Sequence, residues 1–251
     1  MPSITVCVGG WVDLHCHWVA NIDDGAKSVD AGLEMLRGLR RVGFDTVLAT
    51  PHMRPGMFDN DRAALERAFE AMRPHLGGPD LPAVHLASEH FLDDVVFTRL
   101  IQGQGLPFPG VGPGGRRSVL VELPPQHFPP RLEHRFFDLG RAGLRPVLAH
   151  PERYQPVWKD DRCLDPLLDA GACLLLDVCS LVGKYGRASQ KAAEKLLDDE
   201  AYEAACSDAH RPEDADVVGE AVEALVERVG RAEAERLLGT APRTLLGRTA
   251  S

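Results

Sequence analysis

The chain has 251 residues, 44% hydrophobic and 26% charged, which suits one globular domain over 1–251 with a sizeable core and excludes a disordered chain. A formal net charge of −9 speaks against the basic face of a nucleic-acid binder, and no apolar run approaches the roughly 20 residues that cross a bilayer. With no charged-then-apolar leader and six singly spaced cysteines lacking any C-x-x-C pair, the expectation is a soluble, unexported protein of the reducing cytoplasm, with no membrane insertion.

After a leading segment at 1–10, seven short runs rich in β-formers follow in order, at 11–17, 45–52, 83–90, 118–123, 145–150, 173–178 and 204–210. Between the first two, Leu33, Leu36, Leu39 and Val42 recur near helical spacing behind a Ser28 cap, and Gly43 supplies the stop. Further helices are predicted at 59–75, 132–142, 160–170, 188–200 and 214–229, and a helix, a break and a short closing helix at 232–246. The stretch 103–117, dense in Gly and Pro and without a period, is predicted to be a long surface loop between the third and fourth strands. Cys173 and Cys179, in or beside an apolar run, are predicted to be small buried thiols.

Repeated βα units imply a parallel sheet, and six of the seven runs carry an Asp, Glu or His at or near the carboxyl end. A closed barrel gathers such ends into one mouth, whereas an open sheet spreads them in a row. The fold expected is therefore α/β, a distorted seven-stranded TIM-like barrel.

The first run ends His15-Cys16-His17, and the period of an extended strand puts both imidazoles on one face with Cys16 opposite. The last run ends Asp208-Ala209-His210, a second fork that becomes a neighbour of the first when the barrel closes. Between them the strand ends offer His52, Glu89, Glu122 and His150, and the loop after the first strand offers Asp24. Four carboxylates and five imidazoles exceed the four to six donors one ion takes, so two or three metal ions are implied. Mixed nitrogen and oxygen donors accept Mn2+, Fe, Zn or Co. A cysteine-based phosphatase is tested directly: it needs Arg six positions after the nucleophile, and none of the six cysteines has one, Cys16 meeting Ile22 there.

The motifs Asp13-Leu14-His15-Cys16-His17, Thr50-Pro51-His52, Ser88-Glu89, Glu122, Ala149-His150 and Ser207-Asp208-Ala209-His210 resemble those of the polymerase-and-histidinol-phosphatase (PHP) superfamily. Within it, Ile22-Asp23-Asp24-Gly25, the stretch 50–58 and His150-Pro151-Glu152-Arg153-Tyr154 are similar to the bacterial capsule-associated, manganese-dependent CpsB/YwqE-type protein-tyrosine phosphatases. The resemblance implies a trinuclear manganese site: one ion on His15, His17, Glu89 and Asp208, a second on Glu89, Glu122 and His150, a third on Asp24, His52 and His210. It implies hydrolysis of phosphotyrosine on proteins by metal-bridged hydroxide, with an autophosphorylated tyrosine kinase of polysaccharide export as partner and capsular or exopolysaccharide synthesis as the process regulated. Arg153, Glu89 and Asp208 would carry catalysis, and Arg153 would also fork the phosphate.

The relatives' second phosphate-contacting arginine, five residues past the final histidine, is Ala215 here, and Arg211 is the candidate substitute. His127, in the Pro-rich stretch after Glu122, is a further candidate substrate contact. His90 alternates away from the donors and reads as packing or a loop hydrogen bond. Two other readings stay open: another PHP phosphoesterase such as a histidinol-phosphate phosphatase, and a non-catalytic metal-binding regulatory module. A homo-oligomer is left open as well.

Overall fold

The computed structural model describes residues 10–247, so the leading segment at 1–10 lies outside the described residues apart from Gly10. Every strand ladder is parallel, and the strands form two sheets. The first sheet holds β1 (Trp11–Asp13), β2 (Phe44–Ala49) and β4 (Ala83–Leu86); the second holds β3 (His52–Met53), β5 (Glu89–Phe91), β6 (Arg117–Glu122), β7 (Leu144–Ala149), β8 (Cys173–Asp177) and β9 (Tyr202–Cys206), in the order β3-β5-β6-β7-β8-β9.

The second and third predicted strands, 45–52 and 83–90, thus each break into two. Pro51 has no N–H to give a ladder. Thr50 turns instead to the first strand segment, its N–H donating to the Cys16 carbonyl (2.9 Å) and its hydroxyl accepting from the Cys16 N–H (3.0 Å). The chain re-enters a sheet at His52, now paired with Glu89. A parallel bridge between Cys16 and Ala209 joins the two ends of the ring, with the His17 N–H donating to the Ala209 carbonyl and the Asp208 N–H to the His15 carbonyl, both at 2.9 Å.

Strand alternation divides the core in two. Val12, Leu48, Leu120, Val147, Cys173, Leu175, Ala204 and Cys206 point inward and meet one another, closed at one end by Ala241, Leu245 and Leu246. Their strand neighbours Val47, Val119, Val121, Leu148, Leu174, Leu176 and Ala205 face outward against the helices. Those helices include α1 (Val29–Val42), capped by the Ser28 hydroxyl on the Ala31 N–H (3.1 Å) and stopped at Gly43 with φ 129°, as the spacing predicts.

Three further differences from expectation have local causes. Helix α3 (Asp94–Ile101), after α2 (Arg62–Met72), occupies a stretch for which no helix is predicted; the Asp93 carboxylate caps it on the Val96 N–H at 2.7 Å. After α4 (Leu132–Arg141) and the short α5 (Gln155–Lys159), the helix expected over 160–170 splits into a 3-10 turn Asp161–Leu164 and α6 (Asp165–Asp169), with Pro166 starting the second turn. The stretch 103–117 does not stay on the surface: Leu106 and Phe108 are buried, and Phe108 lies in the inward-facing core. The chain ends with α7 (Arg187–Asp198), α8 (Asp214–Val229), α9 (Arg231–Glu235), a π turn Arg236–Thr240 and α10 (Ala241–Leu245). No described helix is long and apolar enough to cross a membrane.

Candidate metal centre

The carboxyl ends of the strands carry the predicted donors to one place, centred on Glu89. Its Oε2 lies 3.3 Å from His15 Nε2, 3.5 Å from His17 Nε2 and 3.0 Å from His52 Nδ1, while Oε1 lies 3.1 Å from His150 Nε2. Asp208 Oδ1 stands 3.1 Å from His15 Nε2 and 3.5 Å from His17 Nε2, and those two nitrogens are 3.1 Å apart. Ligands bonded at about 2.1 Å to one ion sit roughly 3.0 Å apart in octahedral and 3.4 Å apart in tetrahedral coordination. The spacings of His15 and His17 to each other, to Glu89 and to Asp208 match those edges.

A second group, His17, Asp24, His52 and His210, has donor atoms all within 4.8 Å of one another, as do His52, Glu89 and Glu122. His52 thus lies beside Glu122, with its Nδ1 3.9 Å from Glu122 Oε2, while His150 faces the other oxygen of Glu89. All nine predicted metal donors therefore belong to one connected cluster. Buried atoms within it lack hydrogen-bond partners: His52 Nδ1, Glu122 Oε2 and Asp208 Oδ1. Leaving such atoms unpaired is costly unless a cation takes them.

The electrostatics point the same way. Burial alone lowers the His15 and His17 imidazoles, but Asp208 and Glu89 raise the first, and Asp23 and Glu89 raise the second well above the ordinary histidine value. Burial raises Glu89, yet His15 and His52 hold it well below the usual carboxylate range. Burial and the Glu89 charge push Glu122 up to about 7. A field that tightens proton binding on imidazoles also draws a divalent cation. His150 is the exception, held down to about 4 by burial and by Arg153, which keeps its ring neutral.

Local backbone serves the cluster. Asp208 and His150 adopt positive φ, 44° and 35°, so the second fork is not the extended strand its spacing predicts. Left-handed conformations at non-glycine residues store strain and gather at functional sites. Asp23 buries its side chain, its Oδ2 2.7 Å from His17 Nδ1 and accepting the His52 N–H at 3.0 Å. Sequence reasoning does not single out Asp23, although it stands in the motif that includes Asp24. Asp13 is equally buried and takes the Ser207 hydroxyl (2.5 Å) and N–H (3.0 Å), tying first strand to last. Gly25 lies so close to His17 that a Cβ would meet the His17 carbonyl oxygen at 2.0 Å.

Arg153 reaches the cluster from the turn after β7. Its Nη1 donates to Asp208 Oδ2 at 2.5 Å and lies 3.5 Å from Asp177 Oδ2, with the guanidinium 4.2 Å over the Tyr185 ring. Arg211 is exposed, its backbone N–H donating to Asp214. His127 is also exposed. Ala215 is buried, and a Cβ placed on Gly38 of α1 would sit 2.4 Å from its own, so position 215 faces that helix. His90 bridges backbone as expected, Nδ1 to the Leu120 carbonyl (2.8 Å) and Nε2 from the Leu106 N–H (3.1 Å). Cys173 and Cys179 are buried, and burial raises the Cys16, Cys173, Cys179 and Cys206 thiols, Cys173 to about 12, against any thiolate nucleophile.

Known proteins resemble this chain in sequence and fold. The chain is 30% identical over 200 residues to the tyrosine-protein phosphatase YwqE of Bacillus subtilis, covering 79% of this chain and 77% of that one. Crystal structures of YwqE from Bacillus subtilis and CpsB from Streptococcus pneumoniae, described as unique metal-dependent tyrosine phosphatases, include a chain that superposes with a TM-score of 0.82 at 28% identity, over 96% of each chain. The fold alone also matches a phosphotriesterase homology protein from Escherichia coli, at a TM-score of 0.56 and 12% identity over 94% of this chain and 98% of the other. The family described as capsular polysaccharide synthesis, CpsB/CapC, matches residues 11–247. With ring, cluster and family pattern spanning the same residues, the chain belongs to the CpsB/CapC family of capsular polysaccharide synthesis proteins.

Proposed function

We propose that this chain is a metal-dependent phosphatase that hydrolyses phosphotyrosine on proteins. The observation that carries it is Glu89, whose two oxygens meet four imidazoles at 3.0 to 3.5 Å, a concentration of buried donors that a divalent cluster would neutralise. His15, His17, Glu89 and Asp208 would hold one ion, Glu89 and Glu122 with His52 or His150 a second, and Asp24, His52 and His210, with His17 adjacent, a third. Bound divalent ions clamp phosphate oxygens and make a hydroxide available near neutral pH. Manganese is the ion we propose, on the family likeness, since nitrogen and oxygen donors without thiolate suit several first-row metals.

The chain's own residues would orient the ester. Both carboxylate contacts of Arg153 use Nη1, which leaves the rest of its fork for a phosphoryl oxygen. A tyrosine leaving group, with a pKa near 10, departs with little proton assistance, so a site with few free acids suits it. The partner proposed is an autophosphorylated tyrosine kinase of polysaccharide export, in keeping with the family's description. The experiment strips the protein with a chelator, restores Mn2+, and compares turnover of a phosphotyrosine peptide, that kinase and histidinol phosphate. Metal-dependent turnover fastest on phosphotyrosine is expected. Faster turnover of histidinol phosphate would reject the assignment, and no aryl phosphate hydrolysis after reconstitution would make the chain a binding module.

A further inference from the structure

We infer that Arg54 is a second substrate-positioning residue, whose guanidinium takes a phosphoryl oxygen from a different sector of the site than Arg153. The inference rests on the phosphatase reading above and gives a role to a residue that lies within the family-like stretch 50–58 without being singled out there. Arg54 follows β3 directly, and its carrier is pinned: the Phe58 N–H donates to the Arg54 carbonyl at 2.8 Å and the Arg54 N–H to the Phe58 carbonyl at 3.2 Å. The same Phe58 stacks on His52, with centroids 5.2 Å apart and planes within 5°. The backbone that presents Arg54 is therefore fastened to a member of the donor cluster.

The guanidinium lies 4.1 Å above the Phe91 ring, with Nη1 3.7 Å from Glu122 Oε2 and a quarter of the side chain exposed. At 3.7 Å the contact is an ion pair across a gap and not a hydrogen bond. Among the described residues no protein acceptor takes any N–H of this fork. Nearby arginines differ: Arg99 donates to the Asn60 carbonyl at 3.0 Å, and Arg135 to Asp94. Five donors held flat on an aromatic shelf beside a ligand cluster, with no hydrogen bond to any described residue, suit an incoming oxyanion. Arg54, after β3, contacts groups on β5 and β6, whereas Arg153, after β7, contacts groups on β8 and after β9, so the two meet the donor cluster from different sectors of the strand order. Both also reach Glu122 electrostatically. A dianionic phosphate ester between two guanidinium groups gains charge-assisted bonds from each.

The test uses the full chain loaded with Mn2+, as wild type, R54Q and R54K, with para-nitrophenyl phosphate as substrate and inorganic phosphate as ligand. Calorimetry gives the phosphate Kd without turnover, elemental analysis gives metal content, and melting gives foldedness. R54Q is expected to raise KM and the phosphate Kd together by about tenfold or more, the worth of one charge-assisted bond, with a smaller change in kcat and metal content unaltered. R54K, which keeps charge and loses the fork, recovers part of the loss. Unchanged KM and Kd in R54Q would overturn the inference, as would a loss that disappears when excess Mn2+ restores occupancy, since Arg54 would then only balance Glu122. An effect confined to peptides with acidic residues beside the phosphotyrosine overturns it too, assigning Arg54 to the flanking sequence. A wild type that binds phosphate but hydrolyses no ester rejects the phosphatase reading, while the Kd ratio still tests Arg54.

Discussion

His17 can use Nε2 toward the cluster only if its other ring nitrogen carries the proton, and the Asp23 carboxylate 2.7 Å from Nδ1 sets that tautomer. The same carboxylate also takes the His52 and Gly25 N–H groups, so one side chain orients two donor residues and the loop that carries Asp24. D23N should leave the fold intact and weaken metal binding by about 10- to 100-fold, the usual cost of losing an outer-shell partner. Titration of the stripped protein with Mn2+ measures this, and wild-type affinity in the variant would dismiss the role. The paired histidines were legible from their two-residue spacing, although the strand expected over 11–17 stops at Asp13 and only Cys16 between them forms a bridge. Asp24 was named as a donor while Asp23 beside it was missed, since a loop carries no period and the partner that gives Asp23 its role is His17, six residues earlier. Arg54 escaped for a related reason: its shelf, Phe91, belongs to a different strand.

At the level of elements, the Gly/Pro stretch 103–117 shows how composition misleads. Its prolines exclude a helix or a central strand, and on that ground it is expected at the surface. Yet Pro107 and Pro109 have no N–H to satisfy, and the two N–H groups of that short span are both bonded, Leu106 to His90 Nε2 and Phe108 to the Ser118 carbonyl at 2.8 Å. The Ser88 N–H donates to the Leu106 carbonyl at 3.0 Å. Residues 106–108 thus lie beside β6 and fill the space opened where β4 and β5 part, with Phe108 fully buried among inward-facing side chains. F108A should cost roughly 3 to 5 kcal/mol, the range for emptying a buried phenylalanine site. Urea unfolding of wild type and variant reads the difference, and a loss under about 1 kcal/mol would return the segment to the surface. The break at Ala87-Ser88 was illegible for the same reason, since it depends on which strand lies alongside, whereas Pro51 marks the break at Thr50-Pro51 in the sequence itself. The helices with clear caps and apolar spacing, such as α1, needed no such information.

For the whole molecule, Glu152 is a buried carboxyl that joins three strand ends. It accepts from the Asp177 N–H (3.1 Å), the Ser180 hydroxyl (3.0 Å) and the Tyr202 hydroxyl (2.9 Å), and burial together with Asp177 raises it to about 8. A carboxyl whose folded pKa is raised keeps its proton in the native state while the unfolded chain, with a pKa near 4.3, has lost it. The native state then binds more protons, so this group's contribution to stability declines as pH rises from about 4.3 to 8 and is level above. E152Q removes that slope. Melting of both proteins at constant Mn2+ should show wild type losing ground to E152Q between pH 5 and 8, and parallel curves would contradict it. The closed ring was legible from polar strand ends that needed a common mouth. The Glu152 core was not, because its partners come from β8, the turn after it and β9.

The bridge between Cys16 and Ala209 also sets a schedule for synthesis. Its partners are 193 residues apart, which at 5 to 20 residues per second is roughly ten to forty seconds of translation. Throughout that interval His15 and His17 have no Asp208 or His210 to meet. The donor cluster can be completed only once residues 208–210 have been made, so nascent fragments shorter than that lack Asp208 and His210.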